Sequence, residues 1–148
     1  MAFRFALAPL LRLRQSLEKQ RALALQQASL NVARAEKMLG QLETFLDQSA
    51  RNDAQTLVNG QKAAELHFAE LLRERLRELR VQLQGEVLRL AAVREQAAVA
   101  YEQALRECEA LEALRARRWR EYQIEQARRE QREIDAAFGL QRWHIRKG

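Results

Sequence analysis

The amino-acid sequence predicts an all-α protein, a long antiparallel two-helix coiled-coil hairpin with helices over about residues 9–47 and 61–137. Three observations carry this. Ala, Leu, Arg, Glu and Lys supply 92 of the 148 residues, where roughly half already marks a long helix or coiled coil. Val, Ile and Thr total only 11, so a sheet has little to be built from. Five Gly and one Pro leave few breakers. The same composition argues against a β-sandwich, a dinucleotide-binding domain and a disulfide scaffold. It also leaves little material for a deep catalytic pocket. Nine aromatics and 31% charged residues suit a thin two-helix seam better than a globule, and the length suits one coiled-coil domain over residues 1–148.

Helix one opens at Pro9, which suits a first turn because its missing N–H costs nothing there. Leu10, Leu13, Leu17, Leu25, Ala28, Val32, Ala35, Leu39, Leu42 and Leu46 then recur mostly at steps of three and four. This is a heptad seam with a skip between Leu17 and Leu25. Residues 48–60 hold the close Asn/Asp pairs and end in Asn59-Gly60; they read as the hinge. Helix two follows with Phe68, Leu72, Leu76, Leu79, Leu83, Leu90, Val93, Ala97, Ala104, Cys108, Leu111 and Leu114 in the same rhythm, and Trp119, Tyr122 and Ile134 extend its apolar content. Gly85 is its one weak spot. Gly139 fits a C-terminal cap, leaving residues 139–148 as a flexible basic tail.

These helices would be about 57 Å and 115 Å long at 1.5 Å per residue. Helix two must therefore overhang its partner, bend near Gly85, or break. An overhang carrying Leu111, Leu114, Trp119 and Tyr122 exposes apolar area, which on proteins in water marks a partner or a self-association seam.

The chain carries a formal charge of +6, which favours nucleic acid, an anionic membrane or an acidic protein surface. The charge is dispersed, however, and only residues 115–120 form a dense basic run. Arg115, Arg117, Arg118 and Arg120 beside Trp119 and Tyr122 could stack nucleic-acid bases; Glu112, Glu121 and Glu125 dilute that field, so no nucleic-acid partner is expected. The Arg-rich, acid-free start resembles a transit peptide, but its apolar pattern continues unbroken into helix one. No run approaches the ~18 apolar residues of a membrane span.

No constellation of catalytic residues is evident. His67 and His144 lack partners at metal-ligand spacing, Ser16, Ser29 and Ser49 sit in no nucleophile elbow, and no phosphate-binding loop occurs. Cys108 lies on the seam as a small core residue. The sequence therefore predicts no enzyme, no cofactor and no metal. Phe45 and Phe68 flank the hinge with Leu42 and Leu72. They form either a hydrophobic plug closing the coiled coil or an apolar docking patch.

Phe3-x-Phe5-x-Leu7, Leu10-Leu11-x-Leu13-Arg14 and Glu18 resemble the opening of the flagellar export protein family FliJ. Phe68-x-x-x-Leu72, Leu111-Glu112-x-Leu114, Tyr122, Glu125, Arg129-Glu130-Gln131 and Asp135 extend the resemblance over nearly the whole chain. Asp135 is followed by Ala136, where the family usually has an Asp-Glu pair, and the tail with Trp143 and His144 also departs from it. The stalk protein of injectisome secretion systems shares this layout.

The resemblance implies a non-enzymatic, cytoplasmic component of the type III export apparatus at the inner face of the membrane. It would act as a central stalk for the hexameric export ATPase and link it to the membrane export gate and the export chaperones. It implies an export-gate contact at Leu42, Phe45, Phe68 and Leu72, and an ATPase contact at Leu10, Leu13, Arg14, Tyr122, Arg129 and Glu130. Two other readings stay open: a structural coiled coil that homodimerises through residues 99–137, and a basic helical nucleic-acid-binding protein, whose affinity would fall steeply with salt.

Overall fold

The computed structural model describes residues 2–58 and 63–147. It contains two long helices, α1 (Ala8–Val58) and α2 (Ala63–Lys147), that pack against each other, with no strand among the described residues. The packing divides into two compact units. A middle unit comprises Lys19–Glu102, and a terminal unit combines Met1–Glu18 with Gln103–Gly148.

In the middle unit the seam is built from small and branched residues. Ala28, Val32, Ala35 and Leu46 are buried, with Val32 only 1% exposed. Ala22, Leu25, Leu39 and Leu42 complete the α1 side, half-buried. Alanines on this row let the two helices approach closely. The α2 side runs Leu66, Ala69, Arg73, Leu76, Arg80, Leu83, Val87 and Leu90, all half-buried, at strict steps of three and four.

The register of helix one is corrected at its start. Leu10 and Leu13 face outward, and Leu11 is the buried residue. From Leu11 the row continues through Arg14 and Gln15, Glu18, Ala22 and Leu25 without a skip. The apparent skip arises because polar residues hold the seam positions after Leu11. In α2, Phe68, Leu72, Leu79 and Val93 likewise lie off the seam and exposed. Arg73 and Arg80 occupy seam positions that a search for apolar residues passes over.

Both helices outrun their expected ends. α1 continues through the expected hinge to Val58. Asp53 is tolerated there because Arg73 of α2 reaches it at 2.6 Å. Asn59-Gly60 lies outside the described residues. α2 continues through the expected tail to Lys147. Gly139 is an interior helical residue rather than a cap, at the ~1 kcal/mol cost of an interior Gly. Two i,i+4 contacts, Arg142 over the ring of Phe138 at 5.9 Å and Lys147 over that of Trp143 at 4.2 Å, support the last turns. His144, Arg146 and Lys147 in the final turn also complement the helix dipole.

Candidate functional site

The middle unit carries the four residues expected to contact the export gate. Leu42 is half-buried on the seam, while Phe45, Leu72 and Phe68 are exposed, Phe68 at 70%. Asp53 opposite Arg73 fixes the local antiparallel register. Phe45 lies eight residues before Asp53 and Phe68 lies five before Arg73. Antiparallel counting separates them by about thirteen residues, roughly 20 Å along the helices. The four residues therefore form two pairs rather than one cluster, and Phe45 and Phe68 do not close a plug. Leu79, also exposed, falls nearly level with Phe45 and carries apolar surface between the pairs. Spacing alone assigns it to the seam.

An ionic cluster underlies this surface. Arg73, its side chain 11% exposed, pairs with Asp53 at 2.6 Å and Glu70 at 2.7 Å, and Glu70 also accepts from Arg77 at 3.0 Å. The Arg77 hydrogen bond, with the nearby charges of Arg73 and Arg77, holds the Glu70 carboxyl below its ordinary value.

The terminal unit contains a contact that periodicity did not reveal. Residues 2–5 are not helical, and a turn at Ala6–Leu7 leads into α1. Phe3 and Phe5 are half-buried while Ala2, Arg4 and Ala6 are exposed, the alternation of an extended segment. This arm lies on α2. The Phe3 ring meets Trp119 edge-on at 5.2 Å and Tyr122 at 5.5 Å, and Trp119 stacks on Tyr122 at 5.7 Å. A cleft of about 660 Å³ runs between the arm and Leu114, Arg118, Tyr122, Gln126 and Arg129. A second, of about 530 Å³, opens beyond Phe3 toward Gln15, Arg115 and Trp119. The Phe3-x-Phe5-x-Leu7 alternation was the available signal for this arm. Trp119 and Tyr122 do share a face, as their spacing predicts, but the ring packed against them is that of Phe3.

The six residues expected at the ATPase divide accordingly. Tyr122 and Arg129 line the arm's cleft, and Arg129 approaches Glu125 at 3.8 Å. Glu130 is exposed on α2. Leu10 and Leu13 are exposed on α1. Arg14 donates to Glu107 at 2.5 Å across the seam. Behind it Cys108 is buried, and its Sγ lies 3.6 Å from Glu112 Oε1. Burial, followed by the Glu112 carboxylate, pushes the thiol up, which leaves it neutral and a poor nucleophile.

Beyond the arm, residues 130–147 of α2 are exposed on every side. Ile134, Phe138 and Ile145 fall within about 40° of one another at 100° per residue, and Leu140 and Trp143 fall on the other side of the helix. All five are exposed. Arg117 and Arg118 near Trp119 approach Glu121 at 3.8 and 3.7 Å, so acids interleave the densest basic run. Among the described residues no group of His, Cys, Asp or Glu could hold a metal ion, and no helix is long and apolar enough to cross a membrane.

The family model for the flagellar FliJ protein matches residues 3–148. No curated protein and no solved structure matches the chain.

Proposed function

The chain belongs to the flagellar FliJ protein family, a non-catalytic component of the flagellar export apparatus, and from that premise we propose that it is the central stalk of the export ATPase. Acting in the cytoplasm at the inner face of the membrane, it promotes assembly and activity of the ATPase hexamer. It also links the ring to the export gate and exchanges export chaperones. The observation that carries this reading is the segment 130–147. A helix docking against one neighbour needs one apolar stripe. This one has apolar side chains on two sides and is exposed all round, which suits a helix surrounded by protein, as in the bore of a ring.

A stalk acts through asymmetry. A single helix inside six subunits touches some more closely than others. Contacts stronger to one subunit state than to another shift that subunit's equilibrium, and its neighbours respond through their shared interfaces. Leu10, Leu13, Arg14, Tyr122, Arg129 and Glu130 are the proposed ATPase contacts. Leu42, Phe45, Phe68 and Leu72, with Leu79 between the pairs, are the proposed export-gate contacts.

The test is ATP hydrolysis by the export ATPase of the same cell, titrated with this protein at near-physiological salt. A rise in rate accompanied by a ring-sized species on a sizing column is expected. No change in rate, with the protein migrating as a dimer, would sink the stalk reading and favour self-association. For the gate contact, Phe68→Asp and Leu72→Asp should abolish export while helicity stays intact, because both side chains are exposed.

A further inference from the structure

Of the residues proposed to meet the ATPase, Tyr122 is half-buried and has the Phe3 ring against it. Arg129 is exposed across the open cleft whose other wall is the same arm. We infer that residues 2–4 are an autoinhibitory strap: through Phe3 they cover the Trp119–Tyr122 face of α2 in the free chain and leave it when the ATPase binds. This inference rests on the stalk reading and adds a regulated step to it.

Three features make the contact displaceable. First, the arm is held through few side chains. Phe3 and Phe5 face α2, and each is only half-buried. Second, Phe3 borders both clefts, so open space flanks a ring that a settled core residue would have packed on all sides. Atoms facing a void forfeit their dispersion contacts on that side. Third, the arm is separable from α1. Its backbone bonds run to the helix start, with Ala8 N donating to Phe5 O at 3.1 Å and Leu11 N to Leu7 O at 2.9 Å. α1 therefore keeps its first turn when residues 2–4 swing away. The covered face also continues the seam row of buried Ala104 and Cys108 and half-buried Leu111 and Leu114, so an incoming apolar segment would extend a seam already formed.

The direct test is a pair of spin labels at Ala2→Cys and Gln123→Cys in the full chain carrying Cys108→Ala. In the free chain the pair should give a short, narrow distance distribution. Added ATPase should make it long and broad. A complex that co-elutes with the pair distance unchanged would overturn the strap while leaving the stalk reading standing. Absence of any complex would defeat the stalk reading and, with it, the strap's trigger.

Affinity supplies a second readout. Phe3→Ala with Phe5→Ala should tighten ATPase binding, because the free chain no longer spends its time closed. A strap closed nine times in ten lowers the apparent affinity about tenfold, and the variant should recover that factor. Weaker binding by the variant would mean that the two rings are themselves ATPase contacts, and the strap would be rejected.

Discussion

The middle and terminal units use the same two helices differently. In the middle unit, α1 presents Ala28, Val32, Ala35 and Leu46 to α2, all buried, and the ionic cluster of Arg73 and Asp53 on the seam is nearly enclosed. In the terminal unit, α1 contributes one buried residue, Leu11, and then Arg14, Gln15 and Glu18 on seam positions. An extended arm replaces the helix altogether where α2 continues. The first arrangement is expected to resist opening more than the second, because the two units differ in which side chains occupy their seam positions.

The largest expected effect tests the rigid unit. Val32→Asp places a carboxylate at a position 1% exposed with apolar neighbours on the seam. Burying a polar group without partners, on top of the lost packing, should cost about 3 kcal/mol or more. The measurement is the midpoint of thermal unfolding followed by circular dichroism. The same change at exposed Leu13 of the terminal unit should stay within about 0.5 kcal/mol. Equal losses at the two sites would erase the distinction between the units.

Second in size is the ionic cluster. Asp53→Ala leaves Arg73 without its partner across the seam, and the expected loss is about 2 kcal/mol, below the roughly 3–5 kcal/mol of a fully buried pair because both groups retain some exposure. Acid should act on the same cluster. Glu70 keeps its charge to lower pH in the folded chain than in the unfolded one. Its pairing therefore stabilises fully above the ordinary carboxylate value of 4.5 and is lost as pH falls below that value toward the folded one. Glu70→Gln should flatten this acid limb in a pH series of unfolding midpoints. An unchanged limb would remove Glu70 from the account.

Gly85→Ala comes next and has the opposite sign. A Cβ built at Gly85 meets nothing within 4 Å, and the residue is helical. Replacing an interior helical Gly should stabilise by up to about 1 kcal/mol. Destabilisation would mean that the middle unit depends on a bend at Gly85.

The hairpin was legible in the sequence because composition and the three-four rhythm of Leu25 to Leu46 and Leu76 to Leu114 leave no other economical fold. What the rhythm could not reveal were seam positions held by polar residues. Arg14, Glu18, Arg73 and Arg80 lie on the buried row yet look like surface residues in a search for apolar spacing, while Leu10, Leu13, Phe68 and Leu72 look like core and are not. The helix ends were missed for a related reason. Asn52-Asp53 and Gly139 are local breakers, but the Asp53–Arg73 pair across the seam and the two cation–ring contacts near Lys147 outweigh local propensity. The Phe3–Trp119–Tyr122 cluster joins residues more than a hundred positions apart, and only the period-two alternation of Phe3, Phe5 and Leu7 hinted at an extended arm.

The smallest effect belongs to the terminal unit's own ion pair and gives the finest test of the comparison. Arg14 and Glu107 meet at 2.5 Å with side chains 36% and 38% exposed. Water and salt therefore screen the pair far more than they screen Arg73 and Asp53. A double-mutant cycle through Arg14→Ala and Glu107→Ala should give a coupling of about 0.5 kcal/mol at low salt. That coupling should fade by about 1 M salt, where the screening length is only about 3 Å. The corresponding cycle through Asp53→Ala and Arg73→Ala should keep most of its coupling in the same salt, since both charges are largely withdrawn from solvent. If the Arg14 coupling proves as large and as salt-resistant as that of Arg73, the terminal seam is closed in solution, and its polar residues tighten the hairpin rather than loosening it.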